Sequence, residues 1–299
     1  EIICQKCNMI ILDGKKTSSD IKNEIAAEVI NLIDKGMKTP HLAAILVGNN
    51  GASETYVNAK VKACNRVGYD STLVRLDERI SEESLVEEII KINKNDSIDG
   101  LIVQLPLPKH INEKKIINTI SIEKDVDGFH PLNIGNMTLN LPSFVPATPA
   151  GILELLDRYK IETLGKNCVV LGRSHIVGLP VSILMARNNQ PGNSTVTIVH
   201  SKSKNIKDIC RNADILIVAL GIANFVTKDM VKEGVCIIDV GITRVKSDKT
   251  KSGWKLIGDV DFENVRDKCS YITPVPGGVG PMTIAMLLKN TLLASKSKI

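Results

Sequence analysis

Apolar residues in the N-terminal half of the chain follow two alternating spacings. Helical spacing is clearest at 19–36, where one face is marked by Ile21, Ile25, Val29, Leu32 and Ile33. The elements predicted after it are a strand at 42–47, a helix at 53–66, a strand at 71–75, a helix at 82–93 and a strand at 100–103. Strands that alternate with helices in this way predict parallel β-α units rather than hairpins.

The C-terminal half repeats this alternation after a break. Residues 125–149 are rich in Gly, Pro, Asn and Asp and lack periodicity, which predicts a crossover between two domains. The second series has predicted strands at 167–171, 195–199, 214–219, 235–240 and 271–273. A final amphipathic helix at 282–294 follows the glycine-rich turn 274–281. We expect this helix to pack on the first domain and to place the turn at a cleft between the domains.

Composition limits the class of protein. A chain of 299 residues is long enough for two ordinary domains, and 43% hydrophobic with 24% charged residues is typical of a globular protein. No apolar run reaches the roughly 18 residues that span a bilayer, so no membrane partner is expected. The net charge of +5 is dispersed without an aromatic and basic stripe, which argues against nucleic acid.

Seven cysteines are an odd number, and Cys168 and Cys236 lie in apolar runs. Both facts favour reduced thiols and a cytoplasmic location. Cys4 and Cys7 have C-x-x-C spacing, but no second pair completes four zinc ligands. We interpret residues 1–8 as an unstructured leader and expect no metal.

A Gly-containing turn joins the strand at 167–171 to a helix that begins near Gly178. Such a turn offers backbone N–H groups to a pyrophosphate. The segment Gly172-Arg173-Ser174-His175-Ile176-Val177-Gly178 departs from G-x-G-x-x-G, because Ser174 takes the second glycine position and Gly178 comes one residue late. The alternative is a tight strand-to-helix turn without a ligand.

The next strand favours the dinucleotide over that alternative. Dinucleotide-binding folds usually carry an acidic residue after the next strand, where it binds the ribose 2′-hydroxyl. In this chain the strand at 195–199 is followed instead by His200-Ser201-Lys202-Ser203-Lys204. A carboxylate would repel a 2′-phosphate, whereas hydroxyl and ammonium groups bind it. The expected cofactor is therefore NADP rather than NAD.

Candidate chemistry in the first domain centres on Tyr56 and Lys60. Four residues apart on one predicted helix, they share a face. Gln104 ends the strand at 100–103, at the carboxyl edge of the sheet where this helix also begins, so Lys60 and Gln104 are expected to be neighbours. Burial makes a lysine useful as a base, and an amide orients the amine without restoring its charge. The alternatives are a solvated lysine and a half-buried structural tyrosine.

Asp127 lies in Lys124-Asp125-Val126-Asp127-Gly128, which has the composition of a surface turn. In a cleft, its carboxylate would instead bind a ring that bears adjacent N–H donors. His130 is expected to be structural.

These residues resemble the bifunctional methylenetetrahydrofolate dehydrogenase/cyclohydrolase family. The matching blocks occur in family order over nearly the whole chain, at 53–60, 103–108, 124–131, 146–149, 172–174 with 177–180, and 276–283. The resemblance implies an α/β fold of two domains separated by a cleft. The first is an N-terminal α/β catalytic domain (1–147, completed by the C-terminal helix 281–299), and the second is a doubly wound, Rossmann-type parallel-sheet NADP domain (148–280).

The resemblance also implies roles at matching positions. Lys60 is the expected general acid/base, Gln104 its partner, Tyr56 the platform for the aminobenzoyl ring, and Asp127 the pterin-binding carboxylate. Further substrate contacts are expected from Leu105, Pro106, Pro276, Gly277 and Gly278. The expected cofactor contacts are Thr148, Gly172, Arg173, Ser174, Ile176, Val177, His200, Ser201, Lys202, Ser203, Ile242, Gly280 and Thr283.

The activity so implied is oxidation of methylenetetrahydrofolate by hydride transfer to NADP, followed by hydrolysis of methenyltetrahydrofolate to formyltetrahydrofolate. The implied partners are a folate, with polyglutamylated forms included, and a second copy of the chain. Three alternatives stay open at this point. They are a monofunctional folate dehydrogenase, a two-domain NADP dehydrogenase of the shikimate type, and a non-enzymatic NADP-sensing module.

Overall fold

The computed structural model describes residues 9–248, 250 and 253–296. The strands are β1 (Ile10–Ile11), β2 (His41–Val47), β3 (Asp70–Leu76), β4 (Gly100–Val103), β5 (Asn167–Leu171), β6 (Thr195–Val199), β7 (Ile215–Val218), β8 (Val235–Asp239), β9 (Thr243–Lys246), β10 (Trp254–Ile257) and β11 (Cys269–Ile272). The α-helices are α1 (Gly14–Asp34), α2 (Gly51–Val67), α3 (Glu82–Asn93), α4 (Glu113–Thr119), α5 (Pro131–Thr138), α6 (Ala147–Arg158), α7 (Gly178–Ala186), α8 (Ile206–Arg211), α9 (Phe262–Val265) and α10 (Val279–Lys296).

The chain folds into two compact units. The small-sheet unit contains Ser18–Ala147 and the chain from Ile284 onward, and the large-sheet unit contains residues 9–17 and Thr148–Thr283.

The small-sheet unit is built on three parallel strands in the order β3-β2-β4. The central strand β2 is buried from Leu42 to Val47, as expected for a parallel strand covered on both faces. One face packs against α3 and α4 through a core that includes Ile45, Leu85, Ile89 and Ile116. The alternating strands and helices predicted for residues 42–103 are confirmed.

Helix α3 shows why these elements form where they do. Ser81 caps its first turn by accepting a hydrogen bond from the Ser84 N–H at 3.1 Å. Leu85, Ile89 and Ile92 then recur at helical spacing and are all buried. The helix therefore presents one apolar face to the sheet.

The expectation of an irregular crossover at 125–149 is wrong over part of its length, because α5 lies within it and α6 begins at Ala147. His130 caps α5, and Pro131 occupies its first turn. The buried positions of α5 are Asn133 and Met137. Since one of these is polar, the inward face of α5 has no apolar periodicity to detect.

The large-sheet unit carries six parallel strands in the order β1-β11-β8-β7-β5-β6. From β5 the chain moves outward to β6, then returns past β5 to β7 and continues to β8 and β11. The strand order reverses between β5 and β7, which defines a doubly wound sheet and its ligand-binding edge. This confirms the predicted Rossmann-type domain.

Residues 9–17 differ from the expected boundary, since they belong to the large-sheet unit rather than to the domain expected at 1–147. Ile10 and Ile11 pair with Tyr271 and Ile272, which makes β1 the edge strand of the six-stranded sheet. A two-residue strand has no periodicity, so its partner is decided only in the folded chain.

Helix α10 begins in the large-sheet unit and ends in the small-sheet unit. In the latter, the Tyr69 hydroxyl donates to the Leu288 carbonyl at 2.9 Å. Asn290 Nδ2 donates to the carbonyls of Val126 and Val145 at 2.9 and 3.0 Å. Within the described part of the chain, no helix has both the length and the apolar character to cross a membrane.

Candidate active site and cofactor site

Lys60 and Gln104 meet at the carboxyl edge of the small sheet. The Lys60 Nζ donates to Gln104 Oε1 at 3.2 Å, which confirms the expectation that the two residues are neighbours. Gln104 is itself held in place, because its N–H donates to the Ile45 carbonyl at 2.9 Å and its Nε2 donates to the Leu105 carbonyl at 2.7 Å. The amide oxygen is therefore presented to the amine.

Tyr56 lies one turn before Lys60 on α2, and its ring is 43% exposed. It is therefore no core residue, and its ring is open to stack on a planar ligand. Leu105 and Pro106 follow Gln104 and are joined to each other by a cis peptide bond. Leu105 is half-buried and Pro106 is exposed. Lys60 is half-buried.

Asp127 belongs to the same group of side chains. Burial raises the pKa of the Asp127 carboxyl, and the nearby Lys60 charge acts in the opposite direction. Lys60 therefore has a carboxylate within electrostatic range in addition to the amide partner expected from the sequence. A positive amine at Lys60 is thus attracted by Asp127 and oriented by Gln104.

Asp125 is a residue whose role the sequence argument missed. It is 1% exposed, and its carboxylate accepts hydrogen bonds from the Phe129 N–H, the His130 N–H and Asn133 Nδ2 at 3.2, 2.8 and 2.8 Å. Burial raises its pKa to about 6, against the effect of these hydrogen bonds. The surface-turn alternative is wrong for Asp125, which instead holds the loop that carries Asp127.

Two local contacts complete this loop. His130 Nδ1 accepts a hydrogen bond from the Leu132 N–H at 3.2 Å, which confirms its structural role as the cap of α5. Gly128 has φ of +73°, and a Cβ there would lie 2.7 Å from the Phe144 carbonyl oxygen. Glycine at position 128 is thus required by the turn itself.

The turn between β5 and α7 admits only glycine at two positions. Gly172 has φ of +116°, and a Cβ there would overlap the Ala219 carbonyl oxygen. A Cβ at Gly178 would overlap the carbonyl group of Gly172. Ser174 Oγ accepts hydrogen bonds from the N–H groups of Val177 and Gly178 at 3.1 and 3.3 Å, so the serine at the second glycine position fixes the backbone that leads into α7.

This turn lies at the end of β5, beside the point where the strand order reverses. Arg173, Ser174 and Ile176 are exposed, and Val177 is half-buried. Close backbone approach, exposed polar side chains and a helix start at this edge fit a bound pyrophosphate.

The end of β6 forms a second exposed turn. His200 N–H donates to Ser203 Oγ at 3.0 Å, and Lys202 N–H donates to His200 Nδ1 at 3.2 Å. These bonds leave Ser201 and Lys202 exposed at the turn's tip. In the described ranges, neither Lys202 nor Lys204 has an acidic partner, so the turn offers positive charge and hydroxyl groups.

Residues from three distant parts of the sequence meet elsewhere in the large-sheet unit. The hydroxyls of Thr148 and Thr283 are 2.9 Å apart. A Cβ on Gly280 would lie 3.5 Å from Ile242 Cδ1, so Ile242 packs beside this glycine. Thr148 thus lies beside Thr283, and Ile242 lies beside Gly280. All four residues were expected to contact the cofactor.

The glycine-rich turn itself is fixed by backbone contacts. Gly277 has φ of +111° and accepts a hydrogen bond from the Lys15 N–H at 2.8 Å. A Cβ on Gly14 would overlap the Gly278 carbonyl, so the start of α1 lies directly against the turn. Pro276 is exposed after a cis peptide bond.

No group of three or more His, Cys, Asp or Glu side chains within 9–248, 250 and 253–296 is arranged to hold a metal ion. Cys4 and Cys7 lie outside these described residues.

A doubly wound unit with a glycine turn at its switch point, together with an α/β unit that holds a lysine, an amide and a carboxylate, defines a dinucleotide-dependent enzyme of the oxidoreductase class. Two sequence models refine this class. The Tetrahydrofolate dehydrogenase/cyclohydrolase catalytic domain matches residues 12–127, and the NAD(P)-binding domain of the same family matches residues 146–299. The chain belongs to the tetrahydrofolate dehydrogenase/cyclohydrolase family.

Relatives of known name or structure agree. The chain is 63% identical over 290 residues to the bifunctional protein FolD of Flavobacterium johnsoniae, covering 97% of this chain and 98% of the relative. The FolD crystal structure from Campylobacter jejuni is 47% identical, with a TM-score of 0.91 over 97% of this chain and all of the other. The Trypanosoma brucei FolD, complexed with NADP cofactor and inhibitor, is 39% identical, with a TM-score of 0.91 and coverage of 96% and 97%.

Family membership confirms the resemblance seen in the sequence. The protein is a bifunctional NADP-dependent methylenetetrahydrofolate dehydrogenase and methenyltetrahydrofolate cyclohydrolase. The three alternatives left open by the sequence are set aside.

Proposed function

We propose that Lys60, Gln104 and Asp127 perform the proton transfers of the hydrolytic step. The observation that carries this assignment is the 3.2 Å hydrogen bond from Lys60 Nζ to Gln104 Oε1. It orients an amine with a neutral acceptor, which leaves the amine able to change its protonation state.

Hydrolysis removes both protons of the attacking water, one as it adds to the methenyl carbon and one as the formyl C=O forms. One proton reaches the ring nitrogen that departs and the other is released to solvent, because the methenyl substrate carries a positive charge that the formyl product lacks. In our proposal the neutral Lys60 amine accepts the first proton and, as an ammonium, donates it to that nitrogen. Gln104 keeps the amine in place through both steps. Asp127 stabilises the ammonium electrostatically and binds the N–H donors of the pterin, while Tyr56 stacks on the aminobenzoyl ring and Leu105 and Pro106 line the same site.

Within the large-sheet unit we assign the cofactor to the carboxyl edge of the sheet. Gly172, Arg173, Ser174, Ile176 and Val177 would hold the pyrophosphate. The turn His200–Ser203 would bind the 2′-phosphate. Thr148, Ile242, Gly280 and Thr283 would contact the nicotinamide, with Pro276, Gly277 and Gly278 available to the folate. NADP supplies the hydride acceptor of the first reaction.

The division of the chain that we propose follows these assignments. The folate-binding catalytic domain comprises residues 18–147 with the C-terminal part of α10, and the dinucleotide-binding domain comprises residues 148–280 together with residues 9–17, whose strand β1 pairs with β11. The contact of Tyr69 with Leu288 of α10, and those of Asn290 of α10 with Val126 and Val145, support the first part of this division.

We further propose that the substrate is accepted with a polyglutamate tail and that the protein acts as a homodimer in the cytoplasm. The exposed ring of Tyr56 supports the first point, because a folate stacked on it would direct its glutamate end toward solvent. Cys64, Cys168, Cys210, Cys236 and Cys269 support the last, as they are free and buried, with thiol pKa values raised by burial.

Replacement of Lys60 by methionine tests the central assignment. We expect Lys60→Met to abolish hydrolysis of methenyltetrahydrofolate, followed by its absorbance, while folate binding stays measurable by fluorescence titration. Lys62→Met is the matched control, because Lys62 is an exposed lysine on the same helix. Ring opening at the wild-type rate in Lys60→Met would remove Lys60 from the mechanism.

A further inference from the structure

Asp259 is a completely buried acid at the carboxyl edge of the six-stranded sheet, in the segment between β10 and α9. Its Oδ2 accepts hydrogen bonds from the N–H groups of Leu220 and Gly221 at 2.7 and 2.9 Å. These two residues form the turn that leaves β7. Burial of a carboxylate costs free energy unless the group is well hydrogen-bonded, so packing alone does not explain an aspartate at this position.

The second oxygen of Asp259 is directed at another turn. Oδ1 is buried without a hydrogen-bond partner among the described residues. It lies against Gly241, where a Cβ would overlap both Oδ1 and Cγ of Asp259. Gly241 does not have a left-handed φ, so glycine is required there to leave room for the carboxylate and not for backbone freedom.

The turn after β7 also touches the cofactor turn. The Ala219 carbonyl, which directly precedes Leu220, occupies the space where a side chain on Gly172 would lie. Asp259 therefore contacts the loops that follow β7 and β8, and through Ala219 it supports the loop that follows β5. These are the strand ends beside the reversal of strand order, where ligands bind in such sheets.

The neighbouring acid, Asp239, has a different role. Asp239 is the last residue of β8. Its carboxylate accepts hydrogen bonds from the N–H groups of Gly241, Asp259 and Val260, each at 3.0 Å. It is fully hydrogen-bonded and holds the backbone of Asp259 in place. The side chain that touches both turns is that of Asp259, through the Oδ2 hydrogen bonds to Leu220 and Gly221 and the contact of Oδ1 with Gly241.

We propose that Asp259 is a positioning residue for NADP, which holds the turns after β7 and β8 in the geometry that the Gly172 turn needs to bind the cofactor. The inference rests on the proposed placing of NADP at this edge. It goes beyond that proposal by assigning specific cofactor affinity to a residue that lies behind the site.

Three variants test the proposal on the full-length protein: Asp259→Ala, Gly241→Ala and the double variant. Asp259→Ala should raise the KM for NADP about tenfold, because two buried N–H groups lose their acceptor. The cofactor-independent hydrolysis of methenyltetrahydrofolate should keep its rate. Gly241→Ala should reproduce this split by displacing the carboxylate.

The double variant makes the test specific. Removal of the carboxylate leaves space for the methyl group that Gly241→Ala introduces, so the combined rise in KM should be smaller than the product of the two single effects. Asp259→Asn, which retains an oxygen for Leu220 and Gly221, should recover most of the NADP affinity if Asp259→Ala proves unstable.

Asp214→Asn is the matched control. Asp214 joins the opposite, amino ends of β5 and β7, where its carboxylate accepts from the Asn167 N–H at 2.8 Å. It should alter thermal stability without altering the KM for NADP. The proposal is overturned if Asp259→Ala leaves that KM unchanged, or if both activities fall together.

Failure of the cofactor site itself has a different signature. Gly178→Ala places a Cβ against the Gly172 carbonyl inside the proposed pyrophosphate turn. An unchanged NADP KM in this variant would overturn the site and the inference together. A raised KM in Gly178→Ala beside an unchanged KM in Asp259→Ala would overturn the inference about Asp259 alone.

Discussion

Lys60 has two neighbours of different chemistry. The Gln104 amide oxygen accepts a hydrogen bond from the Lys60 amine, and the Asp127 carboxyl lies within electrostatic range of it. Burial raises the pKa of Asp127 and so reduces its negative charge at a given pH. In our proposal, proton transfer at this site depends on the amide that orients the amine and on the acid beside it.

In our proposal, selectivity between NADP and NAD depends on individual residues of the turn after β6. We expect Ser201→Asp combined with Lys202→Glu to raise the KM for NADP by on the order of tenfold while leaving that for NAD nearly unchanged, because a carboxylate repels the 2′-phosphate. Initial-rate kinetics with both cofactors measure this. Lys228→Glu, the same charge reversal at an exposed lysine in the same unit, is the control. Equal effects on the two cofactors would contradict the assignment.

Asp125 should make stability depend on pH in a defined direction. Its pKa is raised from 3.8 to about 6 in the folded protein, so the unfolded chain loses the proton first as the pH rises. Relative to Asp125→Asn, the wild type should lose on the order of 3 kcal/mol of unfolding free energy between these two pH values and none beyond them.

Thermal or denaturant unfolding of both proteins across pH 3.8 to about 6 measures this difference. Asp239, whose pKa is also raised to about 6, contributes equally to both proteins and cancels in the comparison. Parallel pH curves for the two proteins would contradict the prediction.

At the scale of elements, two glycines act through backbone conformation rather than through available space. Gly135 lies in the middle of α5, and Gly36 follows the end of α1 with φ of +73°. An added Cβ would meet nothing within 4 Å at either position. A substitution at Gly135 therefore tests helix propensity, and a substitution at Gly36 tests the left-handed conformation after a helix end.

We expect Gly135→Ala to raise the free energy of unfolding by about 0.5–1 kcal/mol, because alanine loses less backbone entropy in a helix. Gly36→Ala should lower it by about 1–2 kcal/mol, because the left-handed conformation strains any side chain. Denaturant unfolding of the two variants gives opposite signs if these reasons are right. Changes of the same sign would contradict them.

On the scale of the whole molecule, the two groups of residues to which we assign proton transfer and pyrophosphate binding lie in different units. The Lys60, Gln104 and Asp127 group belongs to the small-sheet unit, whereas the glycine turn at Gly172 belongs to the large-sheet unit. Variants of the first group should affect ring opening, and variants of the second should affect cofactor use.

Assembly is also a property of this scale. The large sheet ends in β6, where Thr195, Thr197 and Ile198 are exposed, and an exposed edge strand is a template for pairing with a second copy. If the proposed homodimer forms here, Ile198→Lys should yield a monomer in sedimentation equilibrium. Ile30→Lys, on an exposed face of α1, is the control and should remain dimeric. A dimeric Ile198→Lys protein would place the interface elsewhere.

Much of the molecule is determined by local sequence. The helix over Glu82–Asn93, the buried strands and the glycine turn at 172–178 follow from periodicity, capping and backbone sterics, which act over a few residues. The proximity of Lys60 and Gln104 was also predictable, because parallel strands place their carboxyl ends at one edge of a sheet.

Tertiary structure alone decided the rest. The pairing of Ile10–Ile11 with β11 and the burial of Asp125 and Asp259 depend on partners far away in the chain. An acid in a turn looks the same in sequence whether it faces solvent or two backbone N–H groups. Its environment is set by long-range packing, and for that reason the residues that position the site emerged only from the folded chain.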